Sequence, residues 1–409
     1  MKYDFESIIE RHGHDALAVD LPAAARENGD GYYGVPIKEG FDVIPMWVAD
    51  MNFAAAPSIP AAIAKRMEHS VFGYFSPRKE YFDAIIHWQS VRNHVEGLTP
   101  ECIGYENGVL GGVVSAASIL CSRGDKILVH SPTYVGFTNA LGNVGYELVH
   151  SPLVRDENNV WRMDFEDMEK KIVEQQIHTA ILCNPHNPTG RAWECWEIEK
   201  AMELFKKHNV YVISDEIWSD LYLADHTHIP TQSVSEDARM RTIAFYAPSK
   251  TFNLAGLIGS YHIIYNPWLR DRIRKESSLS HYNSMNVLSM YALIGAYEPE
   301  GWEWLEELKE VLTQNVDYAV NFIENNWKGV SVSKPQATYM LFIDCEEWCK
   351  AHGKTMDDVE KAGLEVGVLW QDGRAFHGEY CIRMNLALPF ARVQEAFERL
   401  DKFVFNVQG

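Results

Sequence analysis

Between residues 57 and 297, stretches with a helical period alternate with short, continuous apolar runs bounded by turn residues. The runs include KILVH at 126–130, TAILCN at 179–184, VYVISDE at 210–216 and RTIAFYAPSK at 241–250. Runs that stay apolar, instead of alternating, predict strands covered on both faces and hence a mostly parallel sheet between layers of helices. In such sheets ligands gather at the C-terminal ends of the strands. Polar residues stand at those ends here: Asn184, Asp215 and Lys250 each close an apolar run. From about Glu298 the pattern changes to a long charged helical segment. Strand-like TYMLFID (338–344) and YCIRMNLAL (380–388) follow, and then an amphipathic helix over 391–403. That mixture predicts a smaller α+β domain, completed by the N-terminal fifty residues. The chain therefore reads as α/β, with a large domain at 52–297 and a small one built from 1–51 and 298–409. No repeat, low-complexity tract or flexible linker separates them.

Composition narrows the function. The chain has 409 residues, 46% of them hydrophobic, enough for a substantial core. Acidic residues outnumber basic ones 57 to 37, for a formal charge of −20, so binding to a nucleic-acid backbone is not expected. Residues 1–10 lack the basic and apolar segments of a signal peptide, and no window resembles a membrane span. Seven scattered cysteines suit reduced thiols in a cytoplasm. Cys345 and Cys349 face no second pair. The His12/His14 and His226/His228 pairs lack a third ligand at useful spacing, so they are expected to be surface or turn residues and no metal is expected.

Five features in chain order carry candidate chemistry. In GVLGGVVSAASIL (108–120) glycines precede a helix, where free N–H groups and the helix dipole favour a phosphate. In SPTY (131–134), Tyr134 follows a strand and could lie on a heteroaromatic ring. In NPHNPTG (184–190) two Asn-Pro steps bar a helix and present Asn187 rigidly. In SDEIW (214–218), Asp215 ends a very apolar strand and needs a partner, such as a protonated pyridine nitrogen. In APSKTFNLAGL (247–257), Lys250 sits among apolar residues that favour its neutral, nucleophilic amine. Singly, each feature also fits a plain turn, a core side chain, a helix cap or a lysine reaching for solvent. Their order is what makes them specific.

With PMWVADMNF (45–53), VFGYFSP (71–77) and RMNLALP (383–389), the chain resembles fold-type I pyridoxal-phosphate enzymes over essentially its whole length. Within these it is most similar to the MalY/PatB group of cystathionine β-lyases. The resemblance implies a seven-stranded-type, mostly parallel sheet and a homodimer. It implies that Lys250 binds the coenzyme covalently, Asp215 pairs with the ring nitrogen and Asn187 meets the phenolic oxygen. Tyr134 would stack on the ring, and Trp218 stands where a tyrosine or histidine commonly contacts the ring oxygen. Leu110, Gly111, Gly112 and Ser249 would hold the phosphate, and Tyr74 would reach the phosphate of the other subunit. The amino-acid substrate would lie against Arg383, Trp47, Ala49, Asn187 and Tyr339, with Arg383 forking its α-carboxylate.

The reaction implied is α,β-elimination of cysteine S-conjugates such as cystathionine, giving a thiol, pyruvate and ammonia. Two alternatives stand beside it: transamination, and a catalytically idle, coenzyme-loaded regulatory protein. Ile258 leans toward the lyase, because many aminotransferases carry a phosphate-binding arginine there. Residues 20–42 look like an insertion relative to the usual short lead into PMWVADM, placed to reshape the pocket mouth.

Overall fold

The structure is a computed structural model that describes residues 1–279 and 283–406; the expected domains' residues 280–282 and 407–409 lie outside the described residues. Seven strands form the main sheet: β1 (Ile103–Glu106), β2 (Lys126–Ser131), β3 (Glu147–Pro152), β4 (Thr179–Cys183), β5 (Tyr211–Asp215), β6 (Thr242–Tyr246) and β7 (Ser260–Ile263). Their spatial order is β1-β7-β6-β5-β4-β2-β3. The ladders β2–β3, β2–β4, β4–β5 and β5–β6 are parallel, while β7 runs antiparallel to both its neighbours.

The unbroken apolar runs become strands buried on two faces. Because successive side chains point to opposite sides, Ile127, Val129, Ile181, Ile213 and Ile243 pack under helix Val109–Leu120. Leu128, Ala180, Leu182 and Val212 pack instead against helices Phe165–Gln175 and Cys195–Lys207. Each such fully buried aliphatic side chain contributes roughly 1.5–3 kcal/mol.

The charged segment after Glu298 forms the 28-residue helix Pro299–Asn326, with Trp304, Leu308, Leu312, Val316, Ala319 and Ile323 on its buried stripe. It lies beside a second, antiparallel sheet of β8 (Ser331–Val332), β9 (Met340–Asp344), β10 (Gln371–Asp372) and β11 (Cys381–Asn385), in the order β8-β9-β11-β10. Asn315 of the helix donates to the carbonyls of Leu386 and Leu388 at 2.8 and 2.9 Å, fixing the chain as it leaves β11. Ile44 and Pro45 pair in parallel with Val368 and Leu369, which brings the N-terminal segment to the same place.

Two expectations need local adjustment. Lys250 does not end a strand: β6 stops at Tyr246, and Lys250 sits in the one-turn helix Pro248–Thr251. Pro248 lacks the N–H a ladder needs and has the backbone angle of a first helical turn. The final helix, expected over 391–403, is Phe390–Leu400 followed by a wider turn at Asp401–Phe405. No helix among the described residues is long and apolar enough to cross a membrane.

Candidate active site

A cavity of about 210 Å³ opens at the C-terminal ends of β4, β5 and β6, lined among others by Ala49, Leu110, Tyr134, Asn187, Asp215, Trp218, Ser249 and Lys250. Parallel pairing sets Asp215 beside Cys183. The turn after Cys183 then carries Asn187 to the same edge, with its amide on the Cys183 sulfur at 3.5 Å. Asp215 is buried, accepts one hydrogen bond from the Ile217 amide at 3.1 Å, and has no ion-pair partner among the described residues. Burial pushes its carboxyl up to about 7; the Ile217 amide and Lys250 pull the other way without cancelling it.

Lys250 faces the same space. Its Nζ donates to the Ala49 carbonyl at 2.9 Å and lies 5.9 Å from the Trp218 ring centroid. Burial, followed by repulsion from Arg383, lowers the ammonium to about 8, so a neutral amine is accessible near physiological pH. The Tyr339 hydroxyl donates to the same Ala49 oxygen at 3.0 Å. Neighbouring bonds hold this arrangement. Asn253, in the left-handed conformation at φ 57°, exchanges two 3.0 Å bonds with the backbone of Met51. Asn385 donates to the carbonyls of Val48 and Asp50, both at 2.6 Å. Thr251 anchors the lysine's helix on Asp220 at 2.9 Å.

Arg383, on β11, is buried beside Asn187. Its guanidinium donates to Asn187 Oδ1 at 3.2 Å, to the Trp47 carbonyl at 3.3 Å and to Gln371, and it lies over the Phe376 ring at 4.5 Å. Its Nε has no hydrogen-bond partner, and no carboxylate pairs with it among the described residues. Burial lowers it to about 10. A buried cation without a counter-ion is costly, and an incoming carboxylate removes the cost.

At the helix start, Gly108 (φ 85°) precedes Val109–Leu120. Gly108, Val109 and Leu110 line the cavity, whereas Gly112 corrects an expectation. Its N–H is already bonded to the Gly108 carbonyl at 3.1 Å, and a Cβ there would lie 2.4 Å from the Phe245 ring. Gly112 therefore lets the helix approach the sheet, and the unpaired amides of the first turn belong to Val109, Leu110 and Gly111. Ser249 lines the cavity close to them, and so does Ile258, exposed and at φ 42°. Tyr134 lines the wall, and burial raises its phenol. Trp218 is buried with its ring edge-on to Tyr339 at 4.8 Å. Trp47 donates from its indole to the Ala18 carbonyl at 2.8 Å and touches the site through its backbone. Tyr74 does not line this cavity in its own chain. It stands fully exposed next to Val71, Phe72 and Phe75.

Several participants were not singled out in the sequence. Gly136 leaves room for the Tyr134 ring, since a Cβ would fall 2.3 Å from it; a glycine two residues after an aromatic was the available signal. Gln371, Asn253 and Asn385 act across distances in the chain that no local pattern reveals. His228, expected to be a surface or turn residue, is instead buried and paired with Glu216 at 2.8 Å. Tyr246 (2.6 Å), Ser214 (2.9 Å) and the Thr231 amide (3.0 Å) also donate to Glu216.

The chain belongs to the aminotransferase class I and II family, whose model matches residues 42–400. It is 33% identical to cystathionine beta-lyase PatB of Bacillus subtilis (strain 168), over 88% of this chain and 92% of that protein. It is 30% identical to protein MalY of Escherichia coli (strain K12), over 96% of each. Its fold superposes on the pyridoxal-phosphate-bound C-S lyase from Staphylococcus hominis with a TM-score of 0.86, at 29% identity and covering 98% of both chains. The fold is thus the aminotransferase-like fold type I.

The residues fit that coenzyme. An amine disposed to be neutral, a buried carboxylate lacking a cation, a ring-sized gap by Tyr134 and a helix start with free amides match its aldehyde, pyridine nitrogen, ring and phosphate in turn.

Proposed function

We propose that this protein is a pyridoxal-5′-phosphate-dependent carbon–sulfur β-lyase acting on cysteine S-conjugates such as L-cystathionine, with a thiol, pyruvate and ammonia as products. The observation that carries the reading is the trio Lys250, Asp215 and Arg383: the first two line the cavity and Arg383 adjoins it through Asn187, and none is paired with an opposite charge among the described residues. The relatives' names, PatB and the C-S lyase, support elimination as the outcome. Ile258, where a phosphate-binding arginine is common in aminotransferases, supports it further.

Bound at Lys250, the coenzyme supplies an electron sink for the charge left when an amino acid loses its Cα proton. Arg383 grips the α-carboxylate in a fork that lysine could not reproduce, and Asn187 Oδ1 accepts from that guanidinium at 3.2 Å. Lys250, its amine set free once the substrate's own amine has taken its place, would take the Cα proton. Asp215 keeps a positive charge on the ring nitrogen by being the anion beside it. Leu110, Gly111 and Ser249 hold the phosphate, and Tyr134, Trp218 and Tyr339 keep water from the reacting face. Trp47 and Ala49 close the substrate side through their carbonyls, which Arg383 and Lys250 already hold.

Two wider assignments go with this reading. The exposed apolar segment around Tyr74 supports a homodimer in which Tyr74 reaches the other subunit's coenzyme phosphate. The seven free cysteines support a cytoplasmic location. We assign residues 52–297 to the coenzyme-binding domain and 1–51 with 298–409 to the small one, supported by a second sheet drawn wholly from the latter.

The test is incubation with L-cystathionine in the absence of any keto acid. Pyruvate is expected in step with free thiol. Amino transfer to an added keto acid without acceptor-free pyruvate overturns the lyase in favour of an aminotransferase. A coenzyme-loaded protein that turns over neither substrate is the idle regulatory protein instead.

A further inference from the structure

The Arg383 guanidinium reaches three acceptors drawn from three segments of the chain, and all three are neutral: Asn187 Oδ1, the Trp47 carbonyl and Gln371 Oε1. Its Nε has no partner, and no carboxylate pairs with it among the described residues. The result is a buried cation that is oriented without being neutralised. The Trp47 acceptor is backbone, and Asn187 itself lines the cavity. Gln371 is the position where a single atom decides the charge, because a glutamate has the same shape and accepts the same bond. Arginine has donors only, so the oxygen of the Gln371 amide is the atom that faces it.

Strand β10 carries an amide and an acid side by side, and its register sorts them. Gln371 is paired with Arg383, and Asp372 with Ile382. Successive side chains of a strand point to opposite faces, so only the first reaches the guanidinium. Asp372 turns to Arg374 instead, accepting from its amide at 2.9 Å and pairing with its guanidinium at 2.7 Å. A slip of one residue would exchange the two and put a carboxylate on Arg383. The strand is held against such a slip. Val368 and Leu369, just before it, pair with Ile44 and Pro45. The buried Trp370 ring lies on Gly363, where a Cβ would come 1.9 Å from it. The Trp370 carbonyl accepts from the Tyr33 hydroxyl at 3.3 Å. Tyr33 belongs to the inserted segment 20–42, which lines no part of the cavity, contrary to the expectation that it reshapes the pocket mouth, and braces the strand of Gln371 instead.

We propose that Gln371 is a positioning residue for substrate binding, which holds the Arg383 guanidinium in place while leaving its charge for the α-carboxylate of the incoming amino acid. It acts through Arg383 and lines no part of the cavity itself. This rests on the reading of Arg383 as the carboxylate receptor, and not on which bond the enzyme breaks afterwards. A counter-ion in place of the amide would compete with the substrate for the same cation.

The probe 3-(methylthio)propanoate has the carboxylate and thioether of a substrate but no amine, so it binds without reacting. Its affinity for the coenzyme-loaded protein is measured by calorimetry in wild type, Gln371→Glu, Gln371→Met and Arg383→Met. Gln371→Glu keeps the bond and adds a charge, and affinity is expected to fall about tenfold or more. Gln371→Met keeps neutrality and loses one bond, and a fall of only about threefold is expected. Without probe, the Tm of Gln371→Glu is expected to exceed that of wild type, because the buried cation gains a counter-ion. In turnover of L-cystathionine, Gln371→Glu is expected to raise KM by about the same factor as it weakens the probe, with kcat little changed. A hydrogen-bonding role alone predicts the reverse order, with Gln371→Glu near wild type and Gln371→Met the weaker binder. That order, or a fall in both Tm and affinity in Gln371→Glu, overturns the proposal while Arg383→Met still loses the probe. Undiminished affinity in Arg383→Met overturns Arg383 as the receptor, and the role of Gln371 with it. Absence of pyruvate with the binding pattern intact overturns only the lyase reading.

Discussion

Asp215 and Glu216 are consecutive, both carboxylates and both buried, yet the fold treats them oppositely. Burial alone would raise Glu216, but His228, Tyr246 and the Thr231 amide outweigh it and hold the carboxyl below its ordinary range. Asp215, facing the cavity, receives one amide and is pushed up to about 7. The same contrast recurs more widely. Glu106 has His262 at 2.7 Å, and Arg191 has Glu197 and Glu194. Among the described residues, Lys250 and Arg383 find only carbonyls and side-chain amides as hydrogen-bond partners. Among these groups, buried charge is compensated where it supports the scaffold and left open where a ligand is to compensate it.

Substitutions at the two kinds of group have different measurable consequences. Asp215→Asn is expected to lower kcat by about 10²–10³-fold, because a neutral amide no longer anchors the ring nitrogen's charge. The same change is expected to stabilise the coenzyme-free protein. Its carboxyl, raised from 3.8 to about 7, binds a proton more readily folded than unfolded. The wild type thus loses stability as pH rises from about 4 to about 7. The advantage of the asparagine should be absent below pH 4 and reach roughly 2–4 kcal/mol above pH 7, read by urea unfolding at several pH values.

Arg383→Lys keeps a charge but loses the fork, and a rise in substrate KM of about 10²-fold is expected from steady-state kinetics. On the compensated side, His228→Leu strands Glu216, and a loss of about 3 kcal/mol in unfolding free energy is expected with coenzyme binding retained. The smallest effect is expected from Asn253→Ala. It removes the two bonds to Met51 and should cost about 1 kcal/mol and a few-fold in kcat, without changing the residues that touch substrate.

The sheet and its ligand-bearing edge were legible because continuous apolar runs leave little choice for a buried strand, and Asn187, Asp215 and Lys250 follow those runs in sequence. The antiparallel course of β7 was not, since a four-residue run carries no direction. Gly112 resembled a phosphate cradle because a helix-packing glycine and an anion-binding one look alike until the ring of Phe245, 133 residues on, is placed beside it. His228 looked like a turn residue because its partner lies twelve positions back, on a strand end. The orientation of Arg383 was carried only by resemblance: its contact with Asn187 spans 196 residues and depends on how the two sheets meet.

Lys250, with no opposite charge paired to it among the described residues, is the amine expected to take the aldehyde coenzyme. The decisive measurement is incubation with pyridoxal 5′-phosphate, borohydride reduction and mass spectrometry of the digest. One phosphopyridoxyl group is expected, on the peptide containing Lys250. A modified lysine elsewhere, or none, contradicts it.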